Sequence, residues 1–333
     1  MAIKNQKSAI LAALAAIALL TLIVTPMIGM EFIPFSILWN DPGGMDAGIL
    51  RDIRIPRTLT AFLVGGALAL SGMAFQAMFR NPLATPFTLG TASGASLGAA
   101  LYIRLGIAFS LFGISGISYA AFAGSLLAVG LVYSLTRMKA GFSTATLLLA
   151  GVAVSFFFSS LILFIHYMSG FANSFRIIRW MMGSVDLTGY DGLLDMLPLV
   201  GIGITALLFH ANELNLLMTG DDIAAGRGVN VNRTKKILFV AASLMIGAVV
   251  SFCGPIGFVG MMAPHICRLL VGCEHRLLIP ASLLFGGAFL VACDTLARTL
   301  IAPVEMPVGV ITALLGGPFF IWLLLNRKGG LDL

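Results

Sequence analysis

Charged residues are scarce in this sequence. Only 10% of its 333 residues are Asp, Glu, Lys or Arg, whereas soluble domains carry about 25%. Hydrophobic residues make up 59%, and the mean hydropathy is +1.02. A soluble core cannot hide that much apolar surface, because a folded chain of this length still exposes roughly a quarter of what its unfolded form exposes. The composition argues against a soluble enzyme and predicts that a lipid bilayer solvates most of the chain.

Cysteine pairs and histidine clusters are also lacking. The four cysteines form no C-x-x-C pair and fall mostly in apolar runs, so we interpret them as small core residues rather than disulfides or metal ligands. The four histidines are solitary, and His265 and Cys267, two residues apart on a helix, face different sides. We therefore expect no metal site and no cofactor bound by this chain.

Motifs for an energy source are missing as well. No Gly-Lys pair occurs, and the phosphate-binding loop G-x-x-x-x-G-K-[ST] requires one. A carrier driven by an ion gradient usually buries ionisable groups near the middle of the bilayer. Here only Asp294 and Arg298 enter an apolar run, four residues apart, and a local ion pair explains them at least as well as a relay. These absences favour a membrane protein whose energy comes from a partner.

Long uncharged runs are abundant, and one span of the bilayer takes about 20 apolar residues. Counting the runs predicts ten spans. They cover residues 8–30, 58–79, 81–103, about 118–136, about 140–166, 196–212, two halves of 237–267, 277–299 and 307–326. The division within 237–267 falls at Gly254-Pro255-Ile256-Gly257, since Pro with flanking Gly ends a helix. A re-entrant half is the alternative there, and a signal peptide is the alternative for the first run.

Loop charge predicts the orientation. With the N-terminus inside, the outer segments hold seven of the 20 Lys and Arg residues, namely Arg51, Arg54, Arg57, Arg104, Arg176, Arg179 and Arg298. The majority then lies on the cytoplasmic side, as the positive-inside rule requires. Ten spans also place both termini in the cytoplasm.

The largest predicted cytoplasmic connection covers residues 213–236. Thr219 or Asp221 is placed to cap a short helix, and Gly226 or Gly228 to end it. This pattern predicts a compact helical knob for a partner, although an ordinary solvated loop fits the spacing equally well.

Small residues mark two further places. Gly90, Gly94 and Gly98 stand four residues apart, which predicts a glycine stripe that permits close helix contact or leaves room along a pathway. Ser143 and Thr144 open the fifth predicted span, where they either line a polar gate or cap the helix.

Several strings resemble one family over nearly the whole chain and in the same order: the FecCD-type permease subunits of ATP-binding-cassette importers for iron chelates, haem and vitamin B12. The strings are Arg54-Ile-Pro-Arg57, Gly66-Ala-Leu-Ala-Leu-Ser-Gly72, Arg80-Asn-Pro-Leu-Ala84, Arg179-Trp-Met-Met-Gly183, Ala225-Gly-Arg-Gly228-Val229, Gly254-Pro-Ile-Gly-Phe-Val-Gly260, Pro264-His265, Asp294-Thr-Leu-Ala-Arg298 and Pro303-Val-Glu-Met-Pro307. One departure is Gly226-Arg227, where the family more often has small or apolar residues.

The resemblance implies an all-α, polytopic fold with about ten transmembrane helices, the type II importer permease fold, as a single domain over residues 1–333. It implies a transport subunit, not an enzyme, that forms a homodimer in the inner (cytoplasmic) membrane. Two ATPase subunits would use ATP, and a periplasmic or lipid-anchored binding protein would deliver an iron chelate, a ferric siderophore or haem. Cobalamin is the alternative cargo, and an ion-coupled carrier is the rival function.

The resemblance also assigns roles to particular residues. Arg54, Arg57 and Arg298 would dock the binding protein. The residues that would couple to the ATPase are Asp222, Ala225, Gly226, Arg227, Gly228 and Val229. Ser143 and Thr144 would form the cytoplasmic gate, with Gly90 and Gly94 beside the pathway.

Overall fold

The computed structural model describes residues 2–138 and 144–326. Helices dominate it, and a short antiparallel hairpin supplies the strands of the described residues. The helices are α1 (Ala2–Val24), α2 (Ile37–Asn40), α3 (Met45–Gly48), α4 (Ile55–Phe79), α5 (Thr91–Leu105), α6 (Gly116–Met138), α7 (Thr144–Met168), α8 (Phe171–Met181), α9 (Asp191–Phe209), α10 (Ala211–Thr219), α11 (Asp221–Gly226), α12 (Val231–Cys253), α13 (Val259–Val271), α14 (His275–Thr299) and α15 (Val308–Asn326). The strands are β1 (Ser110–Leu111) and β2 (Ile114–Ser115), and short 3-10 or π turns cover Thr25–Met27, Ile49–Arg54 and Pro86–Leu89.

Each of the ten predicted spans corresponds to one helix of the structure. Among the described residues, seven helices are long and apolar enough to cross a membrane, and Val259–Val271 and Val308–Leu323 form shorter apolar helices. The all-α, polytopic fold class is therefore confirmed. The predicted division at Gly254–Gly257 is also present, because α12 ends at Cys253 and α13 begins at Val259. The 13 residues of α13 reach only about 20 Å, so the second half is the short one.

Helix α4 forms the centre of the bundle. It packs against α14, α13 and α12, and almost all of its residues from Thr60 to Phe79 are buried. Close approach to α13 depends on Gly72, because a Cβ at this position would collide with the carbonyl oxygen of Gly260. The two backbones touch there, as in membrane helix pairs that use small residues at their interface.

Two predicted boundaries near α4 are wrong. The string Arg54-Ile-Pro-Arg57 was expected in an outer loop, but the chain is helical without a break from Met45 to Phe79. Pro56 lies inside this continuous helix, and its missing N–H would have bonded the carbonyl oxygen of Asp52 one turn earlier. That oxygen accepts from the N–H of Gly189 at 2.9 Å instead. The start of α4 therefore carries the arginines into the folded bundle instead of leaving them in a loop.

The predicted helix over 81–103 begins ten residues late. Arg80 has a left-handed backbone (φ 48°) and ends α4, and Pro82 and Pro86 lie in the turns that follow. Helix α5 then starts at Thr91, after Gly90 with φ 81°. Gly90 is consequently outside the helix, and only Gly94 and Gly98 form the stripe. The structure also contains a helix outside the ten predicted spans, since α8 occupies Phe171–Met181.

Candidate functional site at the two ends of helix α4

The first turn of α4 carries a buried ion pair. Arg57 donates from Nε to both carboxylate oxygens of Asp294 at 3.1 and 3.0 Å, and from Nη2 to Oδ1 at 3.0 Å. Their side chains are 7% and 3% exposed. Buried charges are tolerated only when paired and hydrogen-bonded. Asp294 thus holds one edge of the Arg57 guanidinium and joins α4 to α14.

The remaining nitrogen of Arg57 faces exposed acids. Its Nη1 donates to Glu305 Oε2 at 2.7 Å and lies 3.8 Å from Asp186 Oδ1. Glu305 is 47% exposed and Asp186 is 55% exposed. Arg57 is therefore shared between one buried carboxylate and two carboxylates at the surface.

The other two arginines of this end bind mainly backbone oxygens. Arg298 donates from Nη2 to the carbonyl of Thr25 at 2.7 Å, and its Nε lies 3.8 Å from Asp294, so the expected local ion pair between Asp294 and Arg298 is present. Arg54 donates to the carbonyls of Pro26, Met27 and Glu31 at 3.0–3.4 Å. These contacts tie the start of α4 and the end of α14 to the chain that follows α1.

Arg54, Arg57 and Arg298 line one cavity of about 250 Å³, together with Ala302, Pro303 and Glu305. We call these three residues the arginine cluster. The distribution of loop charge placed all three on the same predicted side. The structure brings Arg298 next to Arg54 and Arg57, which lie more than 240 positions earlier in the sequence. Arg57 and Arg298 are buried, which their assignment to predicted outer segments did not indicate. Their docking role stays a prediction.

A larger cavity of about 560 Å³ adjoins the first. Apolar side chains of α8 and the 304–307 segment form most of its wall, with Arg179, Asp186 and Glu305 as its charged residues. Glu305 lines both cavities. Sequence reasoning did not single out Glu305 or Asp186, although Glu305 lies in one of the strings on which the resemblance rests.

The opposite end of α4 lies against the predicted knob. Arg80 directly follows α4 and lies beside Gly220. A Cβ added to Gly220 would be 3.6 Å from Nη1 of Arg80. The 25 residues of α4 span about 37 Å, so the two ends are separated by the length of a membrane span. Residues 213–236 include most of α10, all of α11 and the start of α12. We call this region the coupling segment, and the structure favours the compact helical form over a solvated loop.

The termini of α11 differ in part from the prediction. Gly220 is the N-cap and no side chain caps it, while the Thr219 hydroxyl donates back to Leu216, so neither Thr219 nor Asp221 has the expected role. At the other end Gly228 N–H donates to Ala225 and Val229 N–H to Ala224, which is a Schellman motif. Gly228 has φ 86°, and it ends the helix as predicted because glycine adopts this conformation without strain.

The surface of the coupling segment is open. Asp222, Ala225, Gly226, Arg227 and Gly228 are exposed and Val229 is half-buried. One ion pair braces the segment against α12, because Lys235 Nζ lies 2.6 Å from Asp221 Oδ2, with side chains 4% and 38% exposed. Sequence reasoning did not identify this pair, whose members are 14 positions apart.

The gate and stripe residues lie elsewhere. Ser143 is outside the described residues, and Thr144 is the first residue of α7. Gly94 is buried between α5 and α6, where a Cβ would collide with the carbonyl oxygen of Gly124. Close helix contact therefore describes Gly94, and its pathway role, like that of Gly90, stays a prediction. Among the described residues no group of His, Cys, Asp and Glu side chains is arranged to hold a metal ion.

These features define a class: a multi-pass helical membrane subunit with a charged cavity at one end of α4, an exposed helical segment at the other and no phosphate-binding loop in its sequence. The chain belongs to the FecCD transport family, whose match covers residues 12–326. It is therefore a permease subunit of an ABC importer, a multi-pass protein of the cell's inner membrane that works with ATPase and substrate-binding partners and is not itself the enzyme.

Individual relatives agree with this assignment. The cobalamin import system permease of Halobacterium salinarum is 44% identical over 284 residues, covering 84% of this chain and 74% of the relative. The hemin transport system permease of Yersinia pestis is 40% identical over 303 residues, or 90% of each chain. A solved structure of a metal-chelate type ABC transporter in an inward-facing conformation superposes with a TM-score of 0.86 and 30% identity, covering 96% of this chain and all of the other.

Proposed function

We propose that this chain moves an iron chelate, either a ferric siderophore or haem, across the inner membrane, as one half of a homodimer powered by two ATPase subunits. The observation that carries the proposal is the division of the molecule into two sites joined by α4. The arginine cluster at one end suits a binding protein, and the exposed coupling segment at the other suits an ATPase. ATP is used by those partners, and both termini lie in the cytoplasm.

The larger cavity supports this cargo. Its apolar wall comprises Phe175, Ile178, Met182, Val304 and Pro307, and Arg179 lies at the same wall. The apolar wall suits the organic body of a bulky chelate, and the charged residues of the cavity are one cation, Arg179, and two acids, Asp186 and Glu305. Relatives named for hemin, for iron(3+) citrate and for iron(3+)-hydroxamate import support the same class.

Cobalamin is the second candidate cargo. The specific observation in its favour is the 44% identity to the cobalamin permease of Halobacterium salinarum. A second vitamin B12 permease, from Klebsiella pneumoniae, is 36% identical over 95% of this chain.

The transport mechanism would connect the two ends of α4. ATP binding would close the ATPase dimer, move the coupling segment through Asp222, Ala225, Gly226, Arg227, Gly228 and Val229, and switch the pathway between its outward and inward openings. Ser143 and Thr144 would form the inner gate, with Gly90 and Gly94 beside the path. A pathway wall without strong ligands suits a cargo that must leave as well as enter.

The cargo is tested by uptake into proteoliposomes that contain the permease, its ATPase and its binding protein. Labelled haem, two ferric siderophores of opposite net charge and cobalamin are offered separately with ATP. We expect accumulation of haem or of a ferric siderophore. Accumulation of cobalamin alone would establish the second candidate and exclude the first.

A further inference from the structure

We propose that Glu305 is an exchangeable carboxylate, which occupies Arg57 until a carboxylate of the docking protein takes its place. The inference rests on the proposed function, in which the arginine cluster receives a binding protein. It adds a role for an acidic residue of the permease itself, and it connects docking to the larger cavity.

The two carboxylates hydrogen-bonded to Arg57 are held unequally. Asp294 takes the Nε and Nη2 edge of the guanidinium and is 3% exposed, so it cannot leave without exposing buried charge. Glu305 holds only Nη1, through a single hydrogen bond of 2.7 Å, and is 47% exposed. Guanidinium and carboxylate bind with the same geometry whichever chain supplies the carboxylate. Glu305 is thus the partner that an incoming acid can replace.

Glu305 belongs to the segment that connects α14 to α15. We call this segment, residues 300–307, the strap, and residues 300–305 are all exposed. Ala302 and Pro303 line the smaller cavity, whereas Val304 and Pro307 line the larger one. The strap is therefore the wall between the two cavities, and the Glu305 side chain fastens it to α4.

Exchange of the carboxylate at Arg57 would change how the strap is held. A docked carboxylate at Arg57 would release Glu305, and like charge would then repel it from the smaller cavity. The strap would lose its side-chain tie to α4, and with it the wall of the larger cavity would become free to move. Docking and access to that cavity would in this way depend on the same guanidinium.

The test measures the affinity of the importer's own binding protein for the permease–ATPase complex in lipid nanodiscs. Glu305→Gln removes the competing charge, so we expect binding to tighten by roughly three- to tenfold at low salt, with a smaller gain at high salt. A merely structural role would give weaker binding instead. Glu305→Asp, which keeps a carboxylate, should bind about as weakly as the wild type.

Two control variants remove one acid each. Asp186→Asn, whose carboxylate is 3.8 Å from the same Nη1 without a hydrogen bond, should have a smaller effect. Asp52→Asn, whose carboxylate pairs with Arg51 and lines neither cavity, should leave the affinity unchanged. An equal gain in Asp52→Asn and Glu305→Gln would assign the effect to net charge and overturn the exchange.

The failure of the inference differs from the failure of the proposed function. If the wild type binds and Glu305→Gln binds equally or more weakly, Glu305 is not exchangeable and the proposed function stands. If the wild-type complex does not bind its binding protein at all, the proposed function falls, and the exchange falls with it.

Discussion

The two ends of α4 use charge in opposite ways. At the arginine cluster the charges are buried and shared among several partners, so that Arg57 alone joins α4, α14 and the strap. At the coupling segment Asp222, Arg227 and Lys236 are exposed, and the buried Lys235 forms the segment's internal ion pair with Asp221 among the described residues. The comparison teaches that one site is part of the fold, whereas the other is a surface supported by the fold.

The largest expected effect is on the stability of the fold, through the buried ion pair of Arg57 with Asp294. Asp294→Ala leaves Arg57 buried without its main partner, and breaking a buried pair in this way costs about 3–5 kcal/mol. We expect little folded protein, or a large drop in the thermal unfolding temperature in detergent. Asp186→Asn, exposed and without a hydrogen bond to Arg57, is the control and should unfold like the wild type. Equal stability of Asp294→Ala and wild type would contradict the structural role of the pair.

The same burial changes how docking should be tested. Reversing the charges of Arg57 and Arg298 would place acids beside Asp294, so loss of docking in that variant would reflect misfolding. Neutralising Arg54, which is half-buried and binds backbone carbonyls rather than a buried acid, should disturb the fold less and is the better probe of docking.

The second effect concerns the packing of α5 against α6. Gly124→Ala places a methyl group against the carbonyl oxygen of Gly94, and overpacking of this kind costs about 1–3 kcal/mol. Gly130→Ala is a matched control on the same helix, because nothing lies within 4 Å of its added Cβ. We expect the unfolding temperature to fall for the first variant and to stay constant or rise slightly for the second. Identical behaviour would show that α5 and α6 are not in close contact.

The third effect is functional and belongs to the coupling segment. Gly228→Asp places a charge on the proposed ATPase contact and strains a backbone with φ 86°, at a local cost of about 1–2 kcal/mol. We expect a folded complex whose ATPase activity no longer responds to cargo. The matched control is Gly113→Asp, since Gly113 is also exposed, has φ 82° and has open space around it, but lies in the β1–β2 hairpin. Normal stimulation in Gly228→Asp would argue against a coupling role.

The smallest effect is expected for the ion pair between Lys235 and Asp221 in the coupling segment. Lys235→Met and Asp221→Asn, combined in a double-mutant cycle on unfolding, should give a coupling free energy of about 0.5–1 kcal/mol, because one partner is partly exposed. Lys236→Met changes the neighbouring, exposed lysine and should show no coupling with Asp221→Asn. A coupling of zero for Lys235 would mean that the pair does not hold α11 in place.

Much of the helical scaffold could be predicted from hydropathy. Each of the ten uncharged runs contains a helix, and Gly254-Pro255 marks the division between α12 and α13 as expected. The errors arose where local rules compete. Pro56 does not separate Arg54 from α4, because the N–H of Gly189 bonds the Asp52 carbonyl that Pro56 cannot serve, whereas Pro82 and Pro86 do delay α5. No periodicity distinguishes these two uses of proline.

The sites were harder to predict than the scaffold. Arg57 and Asp294 are 237 positions apart, and only the packing of α4 on α14 brings them together. Glu305 carried no signal of its own beyond its place in a string. Gly228 was predictable as a helix end, because a left-handed conformation there depends on local backbone chemistry alone.

The most direct test of the account compares two preparations in proteoliposomes, using the chelate that the cargo screen identifies. One contains the purified chain alone with an imposed proton or sodium gradient, and the other contains the permease, ATPase and binding protein with ATP. The account predicts accumulation only in the second preparation. Accumulation by the chain alone, driven by the ion gradient, would contradict it and would establish an ion-coupled carrier.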